Sequence, residues 1–213
     1  MNEPIDLLRY RLKALPFNLL QMPAQRRAYR FVAVAAIALV AATTAQAAEI
    51  KRIGGDISIT GMITPGDAAK FKAIAANIGG TVILDSPGGY VADAALISIQ
   101  IRSQSYATRV PRRAKCDSAC VLIWLAGIRR ELDPRSSVGV HRVRQFGESE
   151  LTDGEANTLA AWAMREAGAP EALVNLALST DSKSMSYVNY EKAKAWGLLD
   201  PPPTPKPAAV KSD

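Results

Sequence analysis

Apolar and polar residues follow one another along the chain in the patterns of short strands and amphipathic helices. Residues 57–63 alternate apolar and polar side chains as a half-buried strand does, and residues 81–85 form a short apolar strand. Apolar residues recur at helical spacing over residues 91–101, and residues 106–110 predict another strand. Residues 118–127 are apolar on most faces, as a central buried helix is. Repeated strand-helix units of this kind predict a layered, single-domain α/β fold.

The second half of the chain continues this pattern. Residues 131–140 predict a turn followed by a strand. Thr152 and Glu155 have the spacing of a capping box, which predicts that a helix begins there. The apolar stripe of that helix would consist of Leu159, Ala163, Met164 and Ala167. The Gly-Ala-Pro sequence at 168–170 predicts its end and the start of another helix that runs to Leu178.

The amino terminus predicts export from the cytoplasm. Arginines precede an apolar run over residues 31–42, and Ala-Gln-Ala at 45–47 fits the small-residue pattern before a signal-peptidase cleavage site. Residues 1–47 are therefore predicted to be a signal peptide. The alternative is that residues 31–48 remain as an inner-membrane anchor, since about 18 residues is near the lower limit for spanning a bilayer. Either interpretation places the following domain outside the cytoplasm, in the periplasm or beyond the cell.

The rest of the chain divides into a domain and a tail. Residues 48–200 are predicted to form the α/β domain, and the proline-rich residues 201–213 are predicted to be disordered. The net charge is +6, but residues 1–47 hold six Lys or Arg against two acidic residues and so carry +4 of it. The remaining +2 argues against a nucleic-acid partner, because such binding needs a clustered basic face.

One histidine and one serine are the candidates for hydrolytic chemistry. A serine hydroxyl is a weak nucleophile until a base takes its proton, and His141, 23 residues after Ser118, is the only histidine. The reaction also builds negative charge on the attacked carbonyl oxygen, which backbone N–H groups stabilise. Gly88 and Gly89, in a turn between a strand and a helix, are the candidate oxyanion hole.

Four short motifs in the same order resemble the proteolytic subunit of the Clp protease (ClpP) and the wider ClpP/crotonase superfamily. The first is Ser-Pro-Gly-Gly at 86–89 after a buried strand, and the second is Ser118 with an apolar run to Gly127. The third is Val-Gly-Val-His at 138–141. The fourth is an element at 191–200 that matches once one residue is inserted. The cysteines on either side of the serine resemble those of secreted bacterial ClpP-like proteins.

This resemblance implies a fold and a reaction. It implies the ClpP/crotonase-like spiral of strand-helix units, with Ser118 as nucleophile and His141 as general base and acid. The N–H groups of Gly88, Gly89 and Ala119 would form the oxyanion hole, and the substrate would be a peptide or protein. The region after His141 matches, by position only, the part of ClpP through which its rings stack. The resemblance therefore leaves the oligomeric state open, with a homo-oligomer as one alternative.

The catalytic aspartate of the family has no clear counterpart in this chain. Counting back from Gly197 places that position on Ser184 or Met185, neither of which is charged. Asp181 is the nearest carboxylate. The third member of the site therefore stays open among Asp181, Ser184 and a backbone carbonyl, and an inactive relative of the peptidases is a live alternative.

The two cysteines, Cys116 and Cys120, stand four residues apart around the serine. Both would lie on one face of its helix, either as a disulfide that export permits or as two buried thiols. A metal site is not expected, because one histidine and two cysteines are too few soft ligands for zinc, and no cofactor is expected.

Four function classes follow. The first is an exported serine hydrolase, and the second is a binding or scaffold protein that kept the fold and lost the reaction. A thiol-disulfide protein is disfavoured, because redox pairs usually have the CxxC spacing. Acyl-CoA chemistry of the crotonase type is disfavoured, because that substrate is cytoplasmic.

Overall fold

Five strands form the larger of two sheets. A computed structural model describes residues 47–75, 79–144 and 152–200. The sheet has the order β1-β2-β3-β4-β6, in which β1 and β2 form an antiparallel hairpin and the other neighbours are parallel. Parallel neighbours require crossover connections, which the intervening helices supply. The strands are β1 Glu49–Ile53, β2 Asp56–Thr60, β3 Gly80–Asp85, β4 Tyr106–Val110 and β6 Arg130–Leu132.

Three short strands form the second sheet, in the order β5-β7-β8. They are β5 Lys115–Asp117, β7 Ser137–Val140 and β8 Ser186–Asn189. The first two are parallel and pair Asp117 with Gly139, whereas β7 and β8 are antiparallel. The residues that follow β5 and β7 therefore leave the sheet at the same edge.

Six helices within the described ranges complete the layers. They are α1 Asp67–Ile74, α2 Val91–Ser103, α3 Cys120–Leu125, α4 Asp153–Glu166, α5 Glu171–Ser179 and α6 Tyr190–Ala195. Every residue of α3 is buried, which agrees with its apolar sequence on all faces. Trp124 is fully buried and its indole N–H donates to the carbonyl of Glu131 (3.2 Å), so that α3 is fixed against β6. This central helix anchors the turn that precedes it.

Several predicted elements are confirmed. Strands β3 and β4 occupy the residues expected from their apolar runs, and Ile57 and Ile59 are buried by the alternation in β2. The capping box is present, since the side chains of Thr152 and Glu155 satisfy each other's backbone N–H groups. The α/β fold of strand-helix units is confirmed as well.

Three local expectations need correction. The helix expected from Ser118 begins at Cys120, because Ser118 is held in a turn. The two cysteines do not share a helix face, because Cys116 lies in β5 and only Cys120 is helical. Leu159 is 52 % exposed and lies outside the buried stripe of α4, which is formed by Ala156, Ala161 and Met164.

All described residues belong to one compact unit. The predicted leader and anchor lie outside the described residues except for Ala47 and Ala48, and so does the tail, residues 201–213. Within the three described ranges, no helix combines the length and the apolar character that crossing a bilayer requires.

Candidate active site

Ser118 stands at the corner between β5 and α3, in residues 117–119, which we call the serine turn. Its φ is +54°, in the left-handed region that residues with a Cβ rarely adopt. Its N–H donates to the carbonyl of Gly139 (2.7 Å), and its own carbonyl accepts from the N–H of Val121 (2.9 Å). These bonds maintain a backbone conformation that is sparsely populated, and such conformations cluster at functional sites.

His141 follows β7 directly, and its imidazole contacts two parts of the chain. Nε2 lies 2.8 Å from Oγ of Ser118, and Nδ1 lies 3.0 Å from the carbonyl oxygen of Ser182. A carbonyl only accepts hydrogen bonds, so Nδ1 carries the proton and Nε2 accepts from the serine hydroxyl. This tautomer is the one that a general base for Ser118 requires.

The two side chains suggested for the acid position do not hydrogen-bond to His141. The carboxylate of Asp181 accepts from Arg142 Nη2 (2.9 Å) and from the N–H of Lys183 (2.9 Å). The Lys183 N–H and the Arg142 guanidinium lower the pKa of Asp181. Ser184 lies further along the same turn, where its N–H donates to the carbonyl of Asp181 (2.9 Å). The structure therefore brings a backbone carbonyl, that of Ser182, to the imidazole.

Residues 86–89, which we call the glycine turn, lie against the serine turn. The N–H of Ser86 donates to the carbonyl of Lys115 (2.8 Å), and the carbonyl of Ser86 accepts from the N–H of Asp117 (2.9 Å). Gly88 has a φ of +89°, and a Cβ built on it would lie 2.8 Å from Cβ of Ser118. Only glycine permits so close an approach between the two turns.

The N–H groups of the candidate oxyanion hole fall into two kinds. The N–H of Gly88 donates to Oγ of Ser86 (3.1 Å) and is therefore occupied. For the N–H groups of Gly89 and Ala119, the described part of the chain provides no acceptor. Both residues line the cavity that contains Ser118 and His141. Gly89 and Ala119 are thus the donors that remain for a ligand oxygen.

The cavity beside Ser118 has a volume of about 240 Å³. Its wall is mostly apolar, and its polar side chains are those of Ser118, His141, Arg144 and Ser182. The apolar contribution comes from side chains of Met62, Pro87, Val91, Val121, Leu122, Val140, Val143, Ala160, Met164 and Ala177. Such a cavity suits an apolar group placed next to a few convergent polar atoms.

Comparison with known proteins places this architecture. No protein-family model matches the chain, and no curated protein matches its sequence. Among the solved structures that match, two have a TM-score of 0.53 each. One is a serine-to-alanine mutant of the membrane-bound stomatin-specific protease 1510-N, 19% identical over 67% of this chain and 75% of that chain. The other is a point mutant of ClpP1 from Listeria monocytogenes, 21% identical over 68% of this chain and 88% of that chain.

The fold is ClpP-like. At this level of identity the likeness concerns the fold, and it confirms the expectation drawn from the four motifs. In this ClpP-like fold the glycine turn and the serine turn are neighbours because Ser86, directly after β3, forms a parallel bridge with Cys116 in β5.

A disulfide joins the two ends of the serine turn. Cys116 in β5 and Cys120 at the start of α3 are bonded, with their Cα atoms 5.2 Å apart. Both residues are fully buried. The spacing of the cysteines allowed this bond, but only the strand-to-helix corner between them brings the two side chains together.

Two residues of the site were missed in the sequence. Ser182 contributes a main-chain carbonyl, which leaves no mark in the choice of side chain. Asp117 is a buried carboxyl beside Ser118, and burial raises its pKa against the opposing effects of Lys115, Tyr187 and His141. Its position inside the Cys-Asp-Ser-Ala-Cys motif was the only signal. Across the described residues, no group of three or more His, Cys, Asp or Glu could hold a metal ion.

Proposed function

We propose that this chain is a serine hydrolase whose substrates are peptides or proteins. The observation that carries the proposal is the 2.8 Å contact between Ser118 Oγ and His141 Nε2 in the tautomer of a general base. The apolar cavity next to it and the two unoccupied N–H groups supply what else acyl transfer needs.

The reaction divides into acylation and deacylation. Ser118 Oγ attacks the substrate carbonyl while His141 takes the hydroxyl proton, and the N–H groups of Gly89 and Ala119 stabilise the oxyanion. His141 then gives the proton to the leaving amine as the peptide bond breaks. Water attacks the resulting ester in the same way, which releases the acid product and restores Ser118.

The carbonyl of Ser182 orients His141 in this scheme. It fixes the tautomer through a hydrogen bond, but it carries only a dipole and no full charge to stabilise the imidazolium. Loss of the carboxylate from a triad lowers the rate by orders of magnitude in other hydrolases. We therefore expect a slower enzyme than one with a complete triad.

The absence, among the described residues, of a carboxylate on His141 favours a second candidate, a binding or scaffold protein that has kept the fold. A site with no carboxylate on the histidine suits a protein that holds peptide without rapid hydrolysis. Chemical labelling of the serine separates the two.

We further propose that the domain acts outside the cytoplasm, in the periplasm or after secretion. The support comes from the leader sequence, with an inner-membrane anchor over residues 31–48 as the alternative, and from the disulfide, which persists in oxidising compartments. Neither a metal nor another cofactor enters the proposed reaction, and self-association is left open.

The test is labelling of the exported protein with a fluorophosphonate, followed by hydrolysis assays on peptides and esters. The parent should label, Ser118→Ala should not, and His141→Ala should label only marginally because the hydroxyl loses its base. Ser103→Ala, an exposed serine at the end of α2, is the matched control and should label like the parent. A parent that neither labels nor hydrolyses any substrate would favour the binding protein, and labelling that survives Ser118→Ala would move the site elsewhere.

A further inference from the structure

The site lacks a negative charge where the reaction needs one. Proton transfer from Ser118 makes His141 a cation, yet its Nδ1 faces only the carbonyl of Ser182. The carboxylate of Asp181 is bound by Arg142 and is 57 % exposed, so solvent and a cation both offset its charge.

A different carboxyl lies inside the fold next to the site. Asp117 is the last residue of β5, directly before Ser118, and only 8 % of it is exposed. It pairs with Gly139, two residues before His141. A Cβ at Gly139 would collide with Oδ1 of Asp117, so the glycine makes room for the carboxyl. Among the described residues, Oδ1 has no hydrogen-bond partner.

Four charged or titratable groups act on this carboxyl. Lys115 on the same strand, the Tyr187 hydroxyl on β8 and His141 each lower the pKa of Asp117, against the larger effect of its burial. Asp85, at the end of β3, is the one like charge. Lys115 also interacts with two of the other groups. Its Nζ lies 5.5 Å from the centre of the Tyr187 ring, and its backbone N–H donates to Oδ1 of Asp85.

We propose that Asp117 is a positioning residue that acts through His141, its buried carboxylate supplying the charge that stabilises the imidazolium during catalysis. The proposal rests on the proposed hydrolase function. The attraction is reciprocal, since an ionised Asp117 and a protonated His141 stabilise each other by the same amount. Burial strengthens it, because water screens the pair less than it screens Asp181.

This arrangement makes the fold less stable. Burial raises the pKa of Asp117 above its ordinary value, so the fold favours the protonated carboxyl. The stability that this preference contributes is present at low pH and is lost as the pH rises through the raised pKa. Above that raised pKa the ionised carboxylate therefore opposes folding, and an uncharged side chain of the same shape should relieve that opposition.

The test is Asp117→Asn in the full exported protein, compared with the parent in kcat, KM and Tm at neutral pH. We expect kcat to fall about tenfold, as loss of one nearby, partly screened unit charge predicts, with KM unchanged and Tm raised. Asp133→Asn, in the turn between β6 and β7, makes the same change in net charge away from the active-site cavity. This control should leave kcat as it is.

Opposite movement of kcat and Tm supports the proposal, because a purely structural aspartate would lose both together. An unchanged kcat in a hydrolase that is labelled at Ser118 overturns the inference and leaves the proposed function standing. A lowered Tm, or failure of Asp117→Asn to fold, also overturns it. A parent without labelling or hydrolysis overturns both.

Discussion

The glycine turn and the serine turn meet at the site, and both leave a strand through residues with positive φ, but they do so by different means. Gly88 and Gly89 adopt φ values of +89° and +137°, which glycine reaches without a Cβ penalty. Ser118 adopts +54° with a side chain, and hydrogen bonds and a disulfide surround it. The glycine turn thus reaches positive φ by having no side chain. The serine turn reaches it with a side chain, and the disulfide and backbone hydrogen bonds stabilise that conformation.

The largest effect is expected for the N–H of Ala119, which we propose as the oxyanion donor of the serine turn. Ala119 has φ −56°, which proline can adopt, so Ala119→Pro deletes the N–H without a conflict in φ at residue 119. Removing one such donor should lower the hydrolysis rate by about 100- to 1000-fold. Ala119→Gly keeps the N–H and should retain most activity. Equal rates for the two variants would show that Ala119 is not a donor.

A side chain in the glycine turn should damage both turns. The new Cβ in Gly88→Ala would lie 2.5 Å from the carbonyl oxygen of Asp117 and 2.9 Å from the nitrogen of Ala119. With the positive φ, we expect a loss of about 3 kcal/mol in the free energy of unfolding. Denaturant unfolding measures it, with Gly54→Ala, at a positive φ but with open space around it, as the control for the backbone term alone. A loss in Gly88→Ala no larger than in this control would exclude the close approach of the turns.

The disulfide should matter more for presenting Ser118 than its small loop suggests. Replacing both Cys116 and Cys120 by alanine should lower the free energy of unfolding by about 2 kcal/mol, as loop-closure entropy predicts for so short a loop. The rate of fluorophosphonate labelling should also fall about tenfold, because the left-handed serine loses its support. Mass spectrometry of the alkylated, unreduced protein checks the bond first. Two alkylated cysteines in folded parent protein would refute the bond.

Exchanging the strained serine for glycine should stabilise the fold while removing the reaction. Ser118→Gly should have a higher Tm than Ser118→Ala, because alanine retains the penalty for positive φ. The difference in the free energy of unfolding should be about 1 kcal/mol. Calorimetry on the two inactive variants isolates the backbone term. Identical Tm values would mean that Ser118 is not strained.

The smallest effects are expected at the acid position. Asp181→Asn and Ser184→Ala should each retain kcat within about threefold, since the ion pair of Asp181 is exposed and neither side chain hydrogen-bonds to His141. Steady-state kinetics at neutral pH decides this. A tenfold or greater loss in Asp181→Asn alone would assign the acid role to Asp181, and the opposite ranking would assign it to Ser184.

The sequence by itself determined the elements whose signal is local. The apolar runs of β3 and β4 gave these strands correctly, and the capping box of α4 follows from Thr152 and Glu155. The order of the four motifs also indicated the ClpP-like fold and singled out Ser118 and His141, which the structure places 2.8 Å apart. These features depend on residue types at fixed spacing, which a sequence shows directly.

Only the tertiary structure decided what depends on pairing between distant segments. The short strands β5 and β8 both form by pairing with β7. Because β5 ends at Asp117, Ser118 lies at the corner after the strand and is not the first residue of a helix. The carbonyl of Ser182 and the burial of Asp117 likewise result from packing across the fold. A main-chain atom leaves no trace in side-chain choice, and the charge environment of a carboxyl is set by neighbours that the chain brings together only on folding.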